Sequence, residues 1–483
     1  MYEIDCLIGG RGCPAANRAT AERRDPISGQ VATRYAAATA VDAVKAAEAA
    51  AAALPRWRAM GPSERRAGLL RAAGLLQGRA AEFEALVMAE TGATRSWVQF
   101  NVHLAAGMLR EAAAMTTQIC GDVIPSDVPG SLSMALRKPA GVVLGIAPWN
   151  APIILGVRAI AMPLACGNTV ILKASEICPA THRMIGSVLQ QAGLGDGVVN
   201  VLTHAPQDAA NVTDALIAHR AVRRINFTGS TRVGRLLAQT AARHLKPLLL
   251  ELGGKAPVIV LDDADIDAAV SATIFGAFAN QGQICMSTER VIVDAKVADE
   301  FAAKLAARVA ALPAGDPRHG EVVLGAVCDI TTVERVTRLV EAAVREGAQV
   351  LFQGPCQGVI MGAVVVDHVT PDMDIFREES FGPQISITRV TNEDEAVRAA
   401  NDTEYGLSAA VFGRDLVRAL AVADRIESGM CHVNGPTVHD EAQMPFGGTK
   451  SSGYGRFGGK AAIEEFTELR WISVQLGARH YPF

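Results

Sequence analysis

The sequence predicts a doubly wound α/β protein with two α/β domains and a small β element outside them. Five short apolar runs alternate with amphipathic helical segments between residues 141 and 250, and a second series of the same kind extends from Pro257 to about His432. Apolar strands that alternate with helices are typical of a parallel sheet covered on both faces. A chain of 483 residues is also too long for a single core, which agrees with two domains.

The bulk composition indicates a folded enzyme-sized chain and argues against several classes of partner. Hydrophobic residues make up 49% and charged residues 20% of the sequence, which are near globular averages. The formal net charge is -4 and the basic residues are scattered, so no basic stripe predicts a nucleic-acid partner. The nine cysteines form no CxxC pair, which argues against a disulfide framework and against a metal site and predicts reduced thiols.

The sequence also predicts a cytoplasmic protein without a membrane segment. Residues 1–12 combine acidic residues and glycines where a signal peptide needs a basic region and an apolar stretch. The most apolar stretch, Gly141–Val157, is interrupted by Pro148, Asn150 and Pro152 and does not make a continuous spanning helix.

Helices that cover a sheet are predicted first along the chain. The segment Val41–Glu90 is rich in Ala, Leu and Arg at helical spacing, with a break at Pro55 and a restart after Gly61, where Ser63 is the expected cap. The first strand series then follows, with helices at Ala180–Ala192 and Arg232–Arg243. Its predicted strands are Gly141–Ala147, Thr169–Lys173, Val198–Leu202, Arg223–Phe227 and Pro247–Leu250.

The second series and two isolated strands complete the prediction. The second series includes Val291–Asp294, Gln349–Phe352, Gln384–Val390 and Ala409–Phe412. Two further strands, Ser131–Arg137 and Phe466–Gln475, lie outside both series. Because isolated strands often complete a neighbour's sheet, we expect subunits to associate through them.

Three residues at predicted strand ends or breaks are candidates for catalysis. Cys285 follows a glycine-containing break, although an ordinary small buried residue is the alternative. Glu251 closes an apolar strand at the edge where α/β sheets bind ligands, where burial would suit a general base; an ion pair with Lys255 is the alternative. Asn150 offers an amide donor for an oxyanion, with an ordinary turn residue as the alternative.

Two other strand ends suggest a nucleotide site. Gly229 and Ser230 follow the fourth strand and open a helix, whose N-terminal amides can hold a pyrophosphate. Lys173 and Glu176 follow the second strand, where they could bind a ribose. Neither stretch is a GxGxxG fingerprint, so a plain loop is the alternative for each.

Together these residues resemble the aldehyde dehydrogenase superfamily, and the resemblance runs from end to end of the chain. Asn150, Lys173, Glu176, Gly229, Glu251 and Cys285 occur in the family's order and spacing, and Glu378–Pro383 is similar to its EExFGP motif. The details resemble most closely the bacterial aromatic aldehyde branch, vanillin dehydrogenases first and salicylaldehyde dehydrogenases next. The stretches that carry this are Pro148–Pro152, Gly282–Arg290, Asn434–Pro445 and His480–Pro482.

The resemblance implies a fold and a reaction. It implies a dinucleotide-binding domain at 1–121 and 143–252, a catalytic domain at 253–437 and an oligomerisation element at 122–142 and 463–483, in a homodimer or homotetramer. It also implies oxidation of an aldehyde to the acid, with Cys285 as nucleophile, Asn150 holding the oxyanion, and Glu251 as general base toward the thioester. The implied cofactor is NAD, with NADP not excluded.

The remaining implied roles concern binding. The residues expected to hold the cofactor are Lys173, Glu176, Gly229, Ser230, Glu379, Phe381 and Trp149. A tunnel for a small aromatic aldehyde, a vanillin-type benzaldehyde first, is expected to be lined by Trp97, Arg158, Ile284, Met286 and Phe446, together with Trp149. Trp97 and Phe446 as ordinary core residues, and Arg158 paired with a structural carboxylate, are the alternatives.

Other functions remain open at the sequence level. Within the superfamily, the alternatives are a salicylaldehyde, benzaldehyde or semialdehyde dehydrogenase, and a CoA-acylating enzyme, against which Glu251 argues. A cysteine hydrolase or acyltransferase without a nucleotide would need a histidine beside Cys285, and none lies nearby in sequence. A binding protein on this scaffold would have lost the nucleophile or the base, and both are present.

Overall fold

The computed structural model describes residues 1–483 and contains 25 strands in six sheets. The strands are β1 Tyr2–Ile4, β2 Cys6–Ile8, β3 Arg11–Cys13, β4 Thr20–Arg24, β5 Val31–Ala36, β6 Asp122–Ile124, β7 Ser131–Pro139, β8 Val142–Ile146, β9 Thr169–Lys173, β10 Val199–Leu202, β11 Val222–Thr228, β12 Leu248–Glu251, β13 Ala256–Val260, β14 Thr288–Asp294, β15 Gln349–Gln353, β16 Cys356–Gln357, β17 Ile360–Met361, β18 Val364–Asp367, β19 Gln384–Val390, β20 Tyr405–Gly406, β21 Ser408–Phe412, β22 Met430–Val433, β23 Thr449–Lys450, β24 Gly453–Tyr454 and β25 Thr467–Gln475.

Fifteen α-helices surround these sheets. The helices are α1 Ala40–Ala59, α2 Pro62–Gly78, α3 Ala80–Thr91, α4 Arg95–Met115, α5 Pro152–Ala165, α6 Pro179–Gln191, α7 Ala209–Ala218, α8 Thr231–Arg243, α9 Ile266–Phe278, α10 Ala295–Val309, α11 Ile330–Arg345, α12 Asp374–Arg377, α13 Glu393–Asn401, α14 Leu416–Ala423 and α15 Ala461–Glu465. None of them is both long and apolar enough to span a membrane.

The first sheet is the predicted doubly wound sheet. Its parallel centre has the order β12-β11-β8-β9-β10, so successive strands are added on one side of β8 and then on the other. The order in which strands are added therefore reverses between β8 and β11, and a crevice forms at the carboxyl ends of these two parallel strands. Asn150 follows β8 and Gly229 follows β11, which places both at this crevice.

The second sheet confirms the second strand series. Its order is β15-β18-β19-β14-β13-β21-β22, and all pairs are parallel except the one between β15 and β18. Strands β13, β14 and β21 are fully buried, as expected for a sheet with helices on both faces. Cys285 lies just before β14, at the amino end of a strand of this sheet.

The two isolated strands pair with each other within the chain. Residues Thr467–Gln475 of β25 pair antiparallel with all nine residues of β7, and β6 pairs with the other side of β7. This three-stranded sheet leaves β25 and β6 as open edges, with Trp471 and Val123 strongly exposed. That subunits associate through these strands stays a prediction, and the two open edges are where such pairing would occur.

Two local predictions in the first helices were wrong. Helix α1 continues through Pro55 to Ala59, because its buried alanines and Trp57 hold the last turn against the core, where the Trp57 indole N–H donates to the Leu164 carbonyl over 3.1 Å. Helix α2 is capped by Gly61 rather than Ser63, since Pro62 takes the first helical position and the Glu64 carboxylate accepts the Gly61 N–H.

Candidate active site

A cavity of about 330 Å³ opens at the crevice of the first sheet and reaches the second. Most of the sequence-predicted catalytic and cofactor residues line it. The lining residues are Pro148, Trp149, Asn150, Thr228, Gly229, Ser230, Glu251, Leu252, Gly253, Cys285, Asp329, Thr331, Thr332, Arg335, Glu379 and Phe381. The strand ends of one sheet and the Cys285 loop of the other thus meet at one place.

Cys285 is held by a strained and heavily bonded turn. After α9, Asn280 and Gln281 adopt left-handed backbone with φ of 47° and 57°, a conformation that costs energy for residues other than glycine. The Gln281 amide donates to the Ala326 carbonyl over 2.8 Å, which compensates part of this cost. A side chain at Gly254 would lie 2.3 Å from the Cys285 carbonyl oxygen, so only glycine lets the two backbones approach.

Glu251 ends β12 as a fully buried carboxylate. Neither of its oxygens has a hydrogen-bond partner. Burial raises the pKa of this carboxyl from 4.5 to about 7, and the nearby Cys285 thiol and Arg158 guanidinium oppose the rise only in part. A carboxyl with a pKa near neutrality exchanges its proton readily at physiological pH, which suits a general base.

The Cys285 thiol faces Glu251, and the two groups influence each other. Burial raises the pKa of the thiol well above its usual value, and the neighbouring Glu251 charge raises it further. The resting pair therefore keeps its proton on sulfur at neutral pH. Because the carboxyl has the lower pKa, Glu251 is placed to accept a proton from the thiol as well as from water.

Asn150 keeps one amide N–H available. Its Nδ2 donates to the Gln283 carbonyl over 2.9 Å, which uses one of its two hydrogens and fixes the orientation of the amide. Its backbone carbonyl accepts hydrogen bonds of 2.9 Å from both the Trp97 indole and the Asn280 amide. The second Nδ2 hydrogen remains for an oxygen bound in the cavity.

Helix α8 presents its N-terminus to the cavity, and Gly229 lies in the cavity wall. The Gly229 N–H donates to the Glu251 carbonyl over 3.0 Å, and a role of this residue toward a pyrophosphate stays a prediction. Glycine is required there because a side chain would lie 2.4 Å from the Phe227 ring. Ser230 is the helix cap, and its hydroxyl accepts the Val233 N–H, which leaves the hydroxyl proton and the positive helix end for an anion.

A buried ion pair holds the loop that carries Glu379 and Phe381. Lys255 lies 2.5 Å from Glu289, and this carboxylate also accepts the N–H groups of Ser380 and Phe381. The alternative pairing of Lys255 with Glu251 is therefore wrong, because the Lys255 ammonium is bound to Glu289, which lies on β14 of the second sheet. The pair positions Phe381, which packs edge-on against Trp149 in the cavity.

Glu379 is a second carboxyl with a strongly raised pKa. Burial raises its pKa to about 8, and the charge of Glu289 adds to the rise, while the Gly254 N–H, which it accepts over 2.9 Å, opposes it. A side chain at Gly253 would lie 2.7 Å from this carboxylate. Glycines at 253 and 254 thus make room for Glu379 beside the end of β12.

Lys173 and Glu176 lie outside the cavity, at the next strand end. Lys173 closes β9 in register with Ile146 of β8. Burial lowers the pKa of its ammonium to about 8, and Glu176 opposes this shift. The two residues therefore extend the crevice sideways along the carboxyl ends of the parallel strands.

The five residues predicted to line a substrate tunnel form a buried cluster behind the nucleophile. Trp97, Ile284, Met286 and Phe446 belong to one hydrophobic core on which Cys285 packs, and none of them lines the open cavity. Arg158 is buried among them, forms an ion pair with Asp440 and lies 4.1 Å above the Phe446 ring. The alternative that Arg158 pairs with a carboxylate is thus confirmed.

The sequence analysis missed the N-terminus of α11, whose first residues line the same cavity as the start of α8. Asp329 caps this helix by accepting the Thr332 N–H over 2.9 Å. Arg335, one turn later, donates to the Ser380 carbonyl over 2.8 Å and so ties the helix to the Glu379 loop. The Asp329-x-x-Thr332 pattern indicates a helix start, but the neighbouring sequence does not indicate that this helix lies beside the strand ends of the site.

The fold and site together define an α/β enzyme with a thiol, a buried carboxyl and an amide at one crevice. The sequence model of the aldehyde dehydrogenase family matches residues 14–472, and the chain belongs to that family. The chain is 61% identical to a vanillin dehydrogenase of Pseudomonas fluorescens, over the full length of both. It is 52% identical to a salicylaldehyde dehydrogenase of Pseudomonas sp. (strain C18), over 99% of each chain. A solved salicylaldehyde dehydrogenase of Pseudomonas putida G7, in complex with salicylaldehyde, superposes with a TM-score of 0.98 at 49% identity and covers both chains completely.

Proposed function

We propose that this protein is an NAD-dependent dehydrogenase of aromatic aldehydes that forms the carboxylic acid, with a vanillin-type benzaldehyde as the first candidate substrate. The observation that carries the proposal is the opposition of the Cys285 thiol and the unpartnered Glu251 carboxyl in one cavity, backed by an aromatic and aliphatic cluster. The relatives named for vanillin and salicylaldehyde support the choice of an aromatic ring.

Three side chains carry the proposed reaction. Cys285 Sγ bonds to the aldehyde carbon as its proton passes to Glu251, and the free Asn150 N–H stabilises the oxygen that becomes negative. A nicotinamide dinucleotide, when bound, supplies the acceptor for the hydride that leaves this carbon. Glu251 passes the proton it took from the thiol to solvent and is again a carboxylate. It then removes a proton from water, which attacks the thioester, and it returns this proton to the departing sulfur as the acid is released.

The residues along the crevice fit a dinucleotide. The Ser230 hydroxyl and the N-terminus of α8 would hold the pyrophosphate, and Glu379 with Phe381 and Trp149 would hold the nicotinamide side. Lys173 and Glu176 would bind the adenosine ribose. The Glu176 carboxylate repels a 2′-phosphate, which favours NAD, although the adjacent Lys173 keeps NADP as a second candidate.

The buried cluster fits an aromatic substrate better than a short aliphatic one. The proposal places the aldehyde between Cys285 and the core on which this cysteine packs. Four side chains of that core would then supply flat and aliphatic contacts that stabilise an aromatic ring: Trp97, Phe446, Ile284 and Met286. Salicylaldehyde, benzaldehyde and semialdehydes are the alternative substrates. The CoA-acylating alternative is disfavoured by Glu251, and a cysteine hydrolase by a cavity lining without histidine.

The same proposal includes a homodimer or homotetramer in the cytoplasm. The open edges of the β25-β7-β6 sheet and the exposed Trp471 support association of subunits. All nine cysteines are unpaired, which agrees with a reducing compartment. The division into domains at 1–121 with 143–252, 253–437, and 122–142 with 463–483 remains our proposal.

A steady-state panel tests the proposal. Vanillin, salicylaldehyde, 4-hydroxybenzaldehyde, benzaldehyde and aliphatic aldehydes are compared with NAD and with NADP by the absorbance of the reduced cofactor, and the acid is quantified with and without CoA. We expect the highest kcat/KM for a substituted benzaldehyde with NAD and no turnover in the Cys285→Ala variant. A large preference for short aliphatic aldehydes would refute the aromatic assignment, and turnover without a dinucleotide would refute the reaction class.

A further inference from the structure

His182 is a buried histidine whose two ring nitrogens both have partners outside its own helix. The Ser175 N–H donates to Nδ1 over 3.1 Å, and Nε2 lies 3.1 Å from the Pro152 carbonyl oxygen. An amide N–H can only donate, so Nδ1 must carry the lone pair and Nε2 the proton, which then donates to Pro152. The neutral ring therefore has one defined tautomer with one hydrogen bond of 3.1 Å at each nitrogen. The Cys178 sulfur, which precedes the same helix, lies further away, at 3.8 Å from Nδ1 and 3.7 Å from Nε2.

The two partners belong to two different parts of the site. Ser175 lies between Lys173 and Glu176, in the loop after β9. Pro152 begins α5, two residues after Asn150, in the loop after β8. One imidazole thus connects the loop that would bind the adenosine ribose to the loop that bears the candidate oxyanion donor.

The surroundings of His182 keep the ring in place. Glycine is needed at position 156 of α5, because a side chain there would lie 3.1 Å from the His182 ring and 2.6 Å from Ile185. The first turn of α6 is bound by the buried Glu90 carboxylate, which accepts the N–H groups of Ala180 and Thr181 over 2.9 and 3.1 Å and the Thr181 hydroxyl over 2.7 Å.

The charge state of the ring is also defined. The pKa of His182 is lowered to about 4, chiefly by burial and to a smaller extent by the nearby Lys173 charge, while the Pro152 carbonyl opposes the shift. A second proton would have to occupy Nδ1, which faces the Ser175 N–H. The ring therefore stays neutral, and both contacts persist, throughout the neutral pH range.

We propose that His182 is a positioning residue that holds the Lys173–Glu176 loop and the Asn150 loop in a fixed relative position. Its Nδ1 contact would then act on dinucleotide affinity, and its Nε2 contact on the rate of aldehyde oxidation. The inference rests on the function proposed above. Because the two contacts are separate, substitutions that keep one and remove the other distinguish this role from simple core packing.

Two conservative variants isolate the contacts. Asn places an acceptor oxygen near the position of Nδ1, so His182→Asn keeps the Ser175 contact and loses the one to Pro152. Gln places an amide N–H near the position of Nε2, so His182→Gln keeps the Pro152 contact and loses the one to Ser175. The measurements are the Kd of NAD by calorimetry without aldehyde, the single-turnover rate of NADH formation at saturating NAD, and the melting temperature.

We expect opposite patterns from the two variants. One net hydrogen bond corresponds to about a tenfold effect. His182→Asn should keep the Kd of NAD within about twofold and lower the single-turnover rate by about tenfold, whereas His182→Gln should raise the Kd by about tenfold and keep the rate within about twofold. His182→Leu should show both defects.

A matched control separates this role from general destabilisation. The side chain of Asn168 is also buried and makes three hydrogen bonds. It accepts the Gly141 N–H and donates to the carbonyls of Pro163 and Phe466, and none of these partners lines the cavity. Asn168→Leu should lower the melting temperature and change neither the Kd nor the rate. If the two His182 variants share one pattern, or lower only the melting temperature, the inference is overturned. Failure of the wild-type enzyme to oxidise any aldehyde would instead overturn the proposed function, while the NAD Kd values would still judge His182.

Discussion

Replacing Glu251 by Gln should stabilise the protein at neutral pH, because the folded state holds this carboxyl in a place that disfavours its charge. The folded pKa is about 7 against 4.5 for the ordinary carboxyl. A raised pKa of this size lowers the free energy of unfolding by roughly 3 kcal/mol once the carboxyl is ionised. The loss is complete above pH 7 and very small at pH 4.5. The amide has nearly the same shape as the protonated carboxyl and carries no charge, so the Gln variant avoids this cost.

The assay is the difference in melting temperature between Glu251→Gln and the wild type, followed from pH 4.5 to pH 8. The unfolding entropy of a 483-residue chain is about 1 kcal/mol per degree, so the variant should melt about 3 °C higher at pH 8. The gap should shrink to well under about 1 °C at pH 4.5, where the folded carboxyl is protonated and the unfolded one is half protonated. In parallel, kcat/KM of the wild type should rise with pH through about 7 as Glu251 loses its proton. A melting gap that does not vary with pH would refute the argument, since Glu251 would then ionise in the fold as it does in water.

Three further substitutions test the other contacts of the site. Cys285→Ala should abolish turnover and leave the Kd of NAD within about twofold, as measured by calorimetry. Asn150→Ala should slow single-turnover NADH formation by about 100-fold, because it removes the only free side-chain amide N–H offered to the oxyanion. Lys255→Met should destabilise the fold by about 3 to 5 kcal/mol in denaturant unfolding, since it leaves the Glu289 carboxylate buried without its cation, and Lys255→Met with Glu289→Gln should recover part of that loss.

The sequence predicted most of the fold because buried parallel strands can be recognised as short apolar runs. The bounds of β9 and β19 were predicted to the residue. The strands β1 to β5 were not predicted, since most of them are three residues long or carry charged and exposed positions, so no period of two develops. In helix α1 a clear local signal was misleading, because the burial of Trp57 keeps the helix intact beyond Pro55, where the sequence predicted a break.

The sequence predicted which residues meet at the site, but not their hydrogen-bond and ion-pair partners. Lys255 stands four positions after Glu251, yet its partner is Glu289, 34 positions away, because the chain turns from the first sheet to the second between them. The Gly229 amide likewise bonds to a carbonyl on the neighbouring strand. Such partners depend on strand register and on the approach of two sheets, neither of which a single sequence specifies.

The electrostatics of the cavity argue for an order of events. The pKa values of Cys285, Glu251 and Glu379 are all raised, with burial as the largest cause in each case. Without a cation in the cavity, burial thus disfavours the ionised form of each group, and the protonated thiol is a poor nucleophile. A cation in the cavity stabilises the ionised form of all three groups at once, and an oxidised nicotinamide ring is a cation whereas the reduced ring is neutral. Since an aldehyde carries no charge, it cannot activate the thiol in this way. The arrangement thus favours binding of the oxidised dinucleotide before attack on the aldehyde, and it favours release of the reduced form once its charge is lost.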